Sequence, residues 1–289
     1  MLKINPAEVK TNLLHSYLLG SVAPRPIAFA STIDKNGVPN LSPFSFFNVF
    51  SAKPPIAIFS PARSGRTGEH KHTFENIKEI PEVVINVVNY DLVQQASLTS
   101  TEYPKGVNEF EKAGLTAISS EMIKPFRVKE SPVQMECKVR DVIELSNEPG
   151  SGNLIICEIL LMHIDEKILD ANGTIDPDKI DLVARMGGNW YLRASGNAKF
   201  EIPKPIGTMG IGVDSIPQNI RNSKILTGNN LGALGNVEKL PTKDVVESFR
   251  NSDIYKSLGE LNSEEKKHSA AKQLLDKNMS AEAWKILLS

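Results

Sequence analysis

The chain has only two cysteines in 289 residues, Cys137 and Cys157, too few for a disulfide framework and too isolated for a four-ligand zinc site. A reducing compartment fits that scarcity. No stretch approaches the ~18–20 continuous apolar residues that cross a bilayer, and the opening Met-Leu-Lys-Ile-Asn-Pro has no apolar signal region. The expectation is a cytoplasmic protein with no membrane segment and nothing to cleave. Excess charge is missing too: 33 Lys+Arg stand against 34 Asp+Glu. Counterion-driven nucleic-acid binding needs a basic surface that this balance does not advertise, so small molecules or other proteins are the expected partners. With 40% hydrophobic and 23% charged residues, the composition is that of a folded globular chain.

Several catalytic signatures are also absent. No Gly-x-Gly-x-x-Gly follows a strand, and Gly210-Ile211-Gly212 runs on to Ser215 with no β run before it. There is no Gly-x4-Gly-Lys-Ser/Thr loop, no His-Glu-x-x-His and no Gly-x-Ser-x-Gly. Dinucleotide-binding Rossmann, nucleoside triphosphate and hydrolytic chemistries lose support accordingly. His70 and His72 alone do not make a metal site, and none is expected.

What is present from about residue 24 to 164 is a series of short apolar runs broken by Gly, Pro, Asn and Asp, the pattern of an antiparallel barrel. Residues 25–32 form the first run. Asn36-Gly37 is expected to close it with a tight hairpin whose two residues take positive φ, and residues 41–47 to pair back. Residues 55–60 and 81–88 read as further strands, with a short helix from Phe74 between them and a second helix opened by Asp91. Val133, Met135, Cys137 and Val139 alternate with Gln134, Glu136, Lys138 and Arg140, which predicts one dry and one wet face. The run 154–162 is more uniformly apolar, as in a strand covered on both sides. After about residue 195 the sequence predicts an irregular Gly/Asn/Pro-rich connector, with Gly228, Gly232 and Gly235 at turns, then helices over roughly 243–258 and 263–288. Leu274, Leu275, Trp284, Leu287 and Leu288 form their apolar stripe.

Two stretches carry chemistry. Ser60 to Asn76 places Arg63, Arg66, Lys71, several hydroxyls and two glycines between a strand and a helix, with Thr73 at the N-cap position. Those donors suit a phosphate; a solvated loop with idle charges would read the same way. Asn40 to Ser51 sets small hydroxyl and amide groups among phenylalanines, which suits the wall of a planar heterocycle or plain core. In sequence order, the two together suit a planar ring with a phosphorylated tail.

Arg25-Pro26-Ile27, Gly37-x-x-Asn40, Ser42-Pro43-Phe44-Ser45-Phe46-Phe47-Asn48, Pro54-Pro55 and Lys71-His72-Thr73-x-x-Asn76 occur in that order. With Glu109-Phe110-x-x-Ala113-Gly114-Leu115-Thr116 and Glu130-Ser131-Pro132-x-x-Met135-Glu136-Cys137, the chain resembles the flavin reductase-like, flavoredoxin-type FMN-binding split-barrel family over roughly residues 10–195. The resemblance implies a mainly β fold: a six-stranded antiparallel split barrel with peripheral helices over residues 1–199, then a C-terminal extension over 200–289. It implies a homodimer with FMN near the dimer interface. By carry-over, Ser42, Phe44, Ser45, Phe46 and Asn48 would line the isoalloxazine, and Ser60, Arg63, Lys71 and Thr73 would hold the phosphate. Arg185, in Arg185-Met186-Gly187-Gly188-x-x-Tyr191, would lie near the flavin or the partner subunit. The pattern departs at His72, where the family carries Asp. The implied activity is that of an FMN-dependent oxidoreductase taking hydride from NADH, NADPH or another donor at flavin N5, with no side-chain catalyst required. A non-enzymatic FMN electron carrier with a protein redox partner is the alternative, and a flavinless protein-binding module a third.

Overall fold

The computed structural model describes residues 1–205 and 207–289. Two compact units emerge, Met1–Phe200 and Glu201–Ser289. Among the described residues no helix is long and apolar enough to cross a membrane.

Unit 1 opens with helix α1 (Thr11–Ser21) and is built on one antiparallel sheet. Its strands are β1 (Ala28–Ile33), β2 (Pro39–Phe44), β3 (Phe47–Ala52), β4 (Pro55–Phe59), β5 (Glu82–Val87), β8 (Val133–Glu144) and β9 (Asn153–Ile164). Two-stranded pairs are added by β6 (Ala117–Ile118) with β7 (Arg127–Val128), and β10 (Val183–Arg185) with β11 (Tyr191–Arg193). The main sheet therefore has seven strands, in the order β2-β1-β5-β8-β9-β4-β3, and not the six implied by the resemblance. The extra strand arises because residues 41–47 do not form one strand pairing back on β1. The chain leaves β2 at Phe44, passes Ser45 and Phe46, and enters β3 at the opposite end of the sheet order. Three peptide steps span at most about 11 Å, so the two sheet edges must lie that close and the sheet must be rolled into a barrel. Ser45-Phe46 bridges the split.

Burial follows from this roll. Every residue of β1 is buried: Ala28 and Ala30 join the cluster of Phe59, Ile85, Met135 and Cys157, and Phe29 faces a second cluster with Leu41, Leu92 and Phe110. The small alanines suit the crowded barrel interior. Both cysteines are fully buried, and burial pushes the Cys137 thiol up to about 12 and the Cys157 thiol well above its ordinary value, which favours the neutral thiol at both. The turn after β1 departs from expectation: only Gly37 takes a positive φ, because the Asp34 carboxylate accepts from the N–H groups of Asn36 and Val38 and shapes a longer loop. The expected wet face of β8 is dry at two positions, since Gln134 and Glu136 are buried beneath residues 119–128. Conversely β9 is covered on one face only over its second half, where Leu160, Met162 and Ile164 are exposed.

Helix α2 (His72–Glu79) covers the barrel with Phe74 and Ile77. Helix α3 (Val93–Leu98) starts two residues after Asp91 with Leu92 as N-cap and no side-chain cap; the Asn89 side-chain oxygen accepts from Leu92 N–H in the turn before it. Helix α4 (Glu109–Ala113) has Asn108 as N-cap and ends at Gly114 in the left-handed region.

Among the described residues the longer regular elements of unit 2 are helices: α5 (Gln218–Arg221), α6 (Gly228–Gly235), α7 (Lys243–Phe249), α8 (Asp253–Ser257), α9 (Glu264–Leu275) and α10 (Ser280–Leu287). The stretch read as an irregular connector holds α5 and α6, so Gly228, Gly232 and Gly235 lie in a helix, started by a Thr227–Asn230 capping box. Gly210 is required by close approach: a Cβ there would sit 2.6 Å from the Gly235 carbonyl oxygen. Each of the two long helices expected at the C-terminus is split, the first where Ser252 caps α8 and the second where Asn278 takes a positive φ after α9.

Candidate functional site

A cavity of about 610 Å³ opens where the split of the barrel meets the loop between β4 and α2, within the ~300–1,000 Å³ range of small-molecule sites. At one end the chain crossing from β2 to β3 contributes Ser42, Phe44, Ser45 and Phe46, faced by His15 and Leu19 of α1. At the other end lie Ser60, the 62–67 loop and residues 69–73, which lead into the first turn of α2. Of the ten carried-over residues, eight line this one cavity: Ser42, Phe44, Ser45, Phe46, Ser60, Arg63, Lys71 and Thr73. Asn48 and Arg185 do not. Asn48 is exposed on β3 with its side-chain oxygen on Val49 N–H, and Arg185 stacks over Tyr191 at 4.6 Å while donating to the Gly188 carbonyl.

The aromatic end is braced from behind. Arg25, 5% exposed, donates to the Leu19 and Val22 carbonyls at 2.6 and 2.7 Å, to Met186 O at 3.0 Å and to Ser45 Oγ at 3.4 Å. One guanidinium thus fixes the end of α1, the turn after β10 and the crossing residue Ser45 together. Phe44 packs on Phe59 with ring centres 5.6 Å apart, and Phe46 meets His15 edge-on.

The polar end assigns its donors differently from a simple phosphate loop. Thr73 is not the N-cap of α2; Lys71 is, with no side-chain cap, and Thr73 lies buried in the first turn. Its hydroxyl accepts from Asn40 Nδ2 at 2.9 Å, within a buried network that continues through Thr32 to Asn76. Arg63 holds the loop shape by donating to Gly68 O, Glu144 and Asn147. His70 stacks on Phe74 at 3.9 Å, and its burial, with Arg63 next, lowers the imidazole pKa from its ordinary value against the opposing charge of Glu144. Ser60 Oγ accepts from Asn153 N–H.

Two contributions were not legible from the sequence. Residues 99–103, after α3, line the cavity with three hydroxyls, Glu102 and Tyr103. Glu109 lines it from α4, only 5% exposed, with Oε2 accepting from Leu41 N–H at 3.0 Å. The single local signal for Glu109 was its place in the Glu-Phe-x-x-Ala-Gly-Leu-Thr stretch. Burial raises the Glu109 pKa against the opposing N–H groups of Leu41 and Glu109 itself and the charge of His72. A carboxyl whose folded pKa is raised stabilises the fold below its unfolded value, near 4.3, and loses that contribution as pH climbs through the folded value. Glu109→Gln, which keeps an acceptor for Leu41, is expected to gain thermal stability relative to the unmodified protein as pH rises above about 4.3. Melting midpoints measured across that range check this; a difference independent of pH would refute it.

Comparison with known proteins bears on the whole of unit 1. The model for the flavin reductase like domain matches residues 19–177. An uncharacterized protein of Aquifex aeolicus is 37% identical over 196 residues, covering 68% of this chain and 97% of its own. Among solved structures, nitrilotriacetate monooxygenase component B from Bacillus cereus superposes with a TM-score of 0.65 at 32% identity, over 70% of this chain and 98% of that one. A Shewanella frigidimarina protein with a split barrel domain gives 0.58 at 26% identity, over 70% and 100%.

Proposed function

This chain belongs to the flavin reductase-like domain family, and from that premise we propose that it is an FMN-dependent oxidoreductase using NADH or NADPH as donor. The observation that carries the reading is the convergence of the Phe-bearing crossing between β2 and β3 with the cationic loop before α2 on one cavity. The donor set fits the cofactor. Phe44, Phe46 and Leu19 offer apolar surface to a planar ring, and Ser42 and Ser45 offer edge-on hydrogen bonds. Lys71, Arg66, neighbouring hydroxyls and the first-turn N–H groups of α2 suit a phosphate monoester, which is the feature that separates FMN from riboflavin.

FMN bound there would supply two-electron chemistry, accepting a hydride from the nicotinamide and passing reducing equivalents to an acceptor. The protein's part is positioning: Arg25 fixes Ser45, Phe59 backs Phe44, and the Asn40–Thr73 bond ties the start of α2 to β2. Asn48 and Arg185, outside the single-chain cavity, are assigned to its surroundings in a homodimer. Exposed Val49 and Phe50 on the edge strand β3, with Leu13 and Leu18 on α1, are the apolar surface a second copy would cover.

Purified protein reconstituted with FMN is expected to be yellow and to bleach on anaerobic addition of NADH or NADPH. Flavin that binds but responds to neither nucleotide would make the protein an electron carrier. Failure to take up flavin at all would remove both readings.

A further inference from the structure

At the polar end of the cavity one carboxylate holds two cations. Glu102 Oε1 lies 2.7 Å from Lys71 Nζ, and Oε2 lies 2.6 Å from Arg66 Nη2. Among the described residues neither cation makes another ion pair, whereas Arg63 has Glu144. The three groups come from separate segments: Arg66 from the loop after β4, Lys71 from the N-cap of α2, Glu102 from the run after α3. A carboxylate with one oxygen on each of two cations makes the charge-assisted contacts that two oxygens of a phosphate monoester make.

What distinguishes Glu102 from a structural carboxylate is how little else holds it. Glu136 is fully buried and accepts from the N–H groups of Glu121 and Met122 as well as from His163. Glu102 is half exposed, and its only hydrogen-bond donors among the described residues are Lys71 and Arg66. Lys71 and then Arg66 draw its carboxyl below the ordinary range, which favours the anion that pairs with them. Exposed pairs of this kind are weakly held and readily exchanged. A phosphate monoester carries close to two negative charges at neutral pH and outcompetes a single carboxylate for the same cations.

We propose that Glu102 is an internal competitor for the phosphate-binding cations Lys71 and Arg66, and so a specificity residue that sets how far the cavity prefers a phosphorylated ligand over its neutral counterpart. This rests on the flavin reading for the identity of the ligand, but not for the competition itself. A ligand phosphate displaces the carboxylate or is repelled by it; both routes make the carboxylate unfavourable for the dianion and indifferent to a ligand without phosphate.

The test is Glu102→Gln, which keeps size and polarity at an exposed position. FMN and riboflavin are titrated into flavin-free protein, and inorganic phosphate is titrated calorimetrically as a second probe. The variant is expected to bind FMN and inorganic phosphate about fivefold or more tighter, with riboflavin changed by less than about twofold. An unchanged or reduced preference for FMN over riboflavin, with no gain for inorganic phosphate, would overturn the proposal and make Glu102 a residue that positions Lys71. Should the unmodified protein bind neither flavin, the cofactor reading falls, and inorganic phosphate alone still decides the competition.

Discussion

Lys71→Ala is expected to weaken FMN about 10- to 100-fold while changing riboflavin no more than about twofold. Lys71 is the N-cap of α2, with extended backbone, and its ammonium reaches the polar end of the cavity. A hydrogen bond to a charged group contributes roughly 1.5–3 kcal/mol, and each 1.4 kcal/mol is tenfold in affinity. The side chain is 37% exposed and so keeps part of its hydration, which favours the lower end of that range. Riboflavin shares the ring and ribityl chain but carries no phosphate, so it reports any damage to the aromatic end. Paired titrations of the two ligands separate the cases. Equal losses would show that Lys71 supports the shape of the cavity and not its anion, and the phosphate assignment would fail.

Trp284→Ala is expected to destabilise unit 2 by about 3–5 kcal/mol. Trp284 is 1% exposed at the centre of the cluster formed by Leu234, Leu274, Leu275 and Leu287, and its indole N–H donates to the Leu234 carbonyl at 3.0 Å. Truncation opens a large cavity and leaves that carbonyl, at the end of α6, without its side-chain donor. A unit of 89 residues has a modest total stability, so the loss removes a large share of it. Urea unfolding followed by helical circular dichroism measures the shift. A midpoint within error of the unmodified protein would show that the unit repacks around the gap and that the tryptophan is not its keystone.

Both substitutions fall at residues singled out by the sequence alone, for different reasons. Trp284 was visible because apolar residues at helical spacing report a buried stripe wherever the helix packs. Lys71 was visible because a cluster of cations and hydroxyls between a strand and a helix is a local feature. The Thr73 hydroxyl shows where local reading fails: its position beside a helix start suggested a cap, but a partner 33 residues earlier, Asn40, takes it into a buried network. Glu136 fails for the same reason. Alternation along β8 marked it as solvated, and only the segment that folds over it, with backbone N–H groups at Glu121 and Met122, makes a buried carboxylate stable there. Burial still works against its charge, yet those N–H groups and His163 outweigh it and hold the carboxyl below its usual range.

The sequence by itself determined the strand-forming runs, the glycine at the first turn, the apolar stripe of the C-terminal helices and the two chemically loaded stretches. Each depends on residues within a few positions of one another, whose period and backbone freedom are set locally. Only the tertiary structure decided that the chain crosses the split between Phe44 and Phe47, giving a seventh strand, and that residues 99–103 and Glu109 complete the cavity wall. It also decided that Glu102 stands on the cations. Closure of a barrel and pairing of charges from separate loops are settled by the roll of the whole sheet, which brings together groups that no local pattern relates.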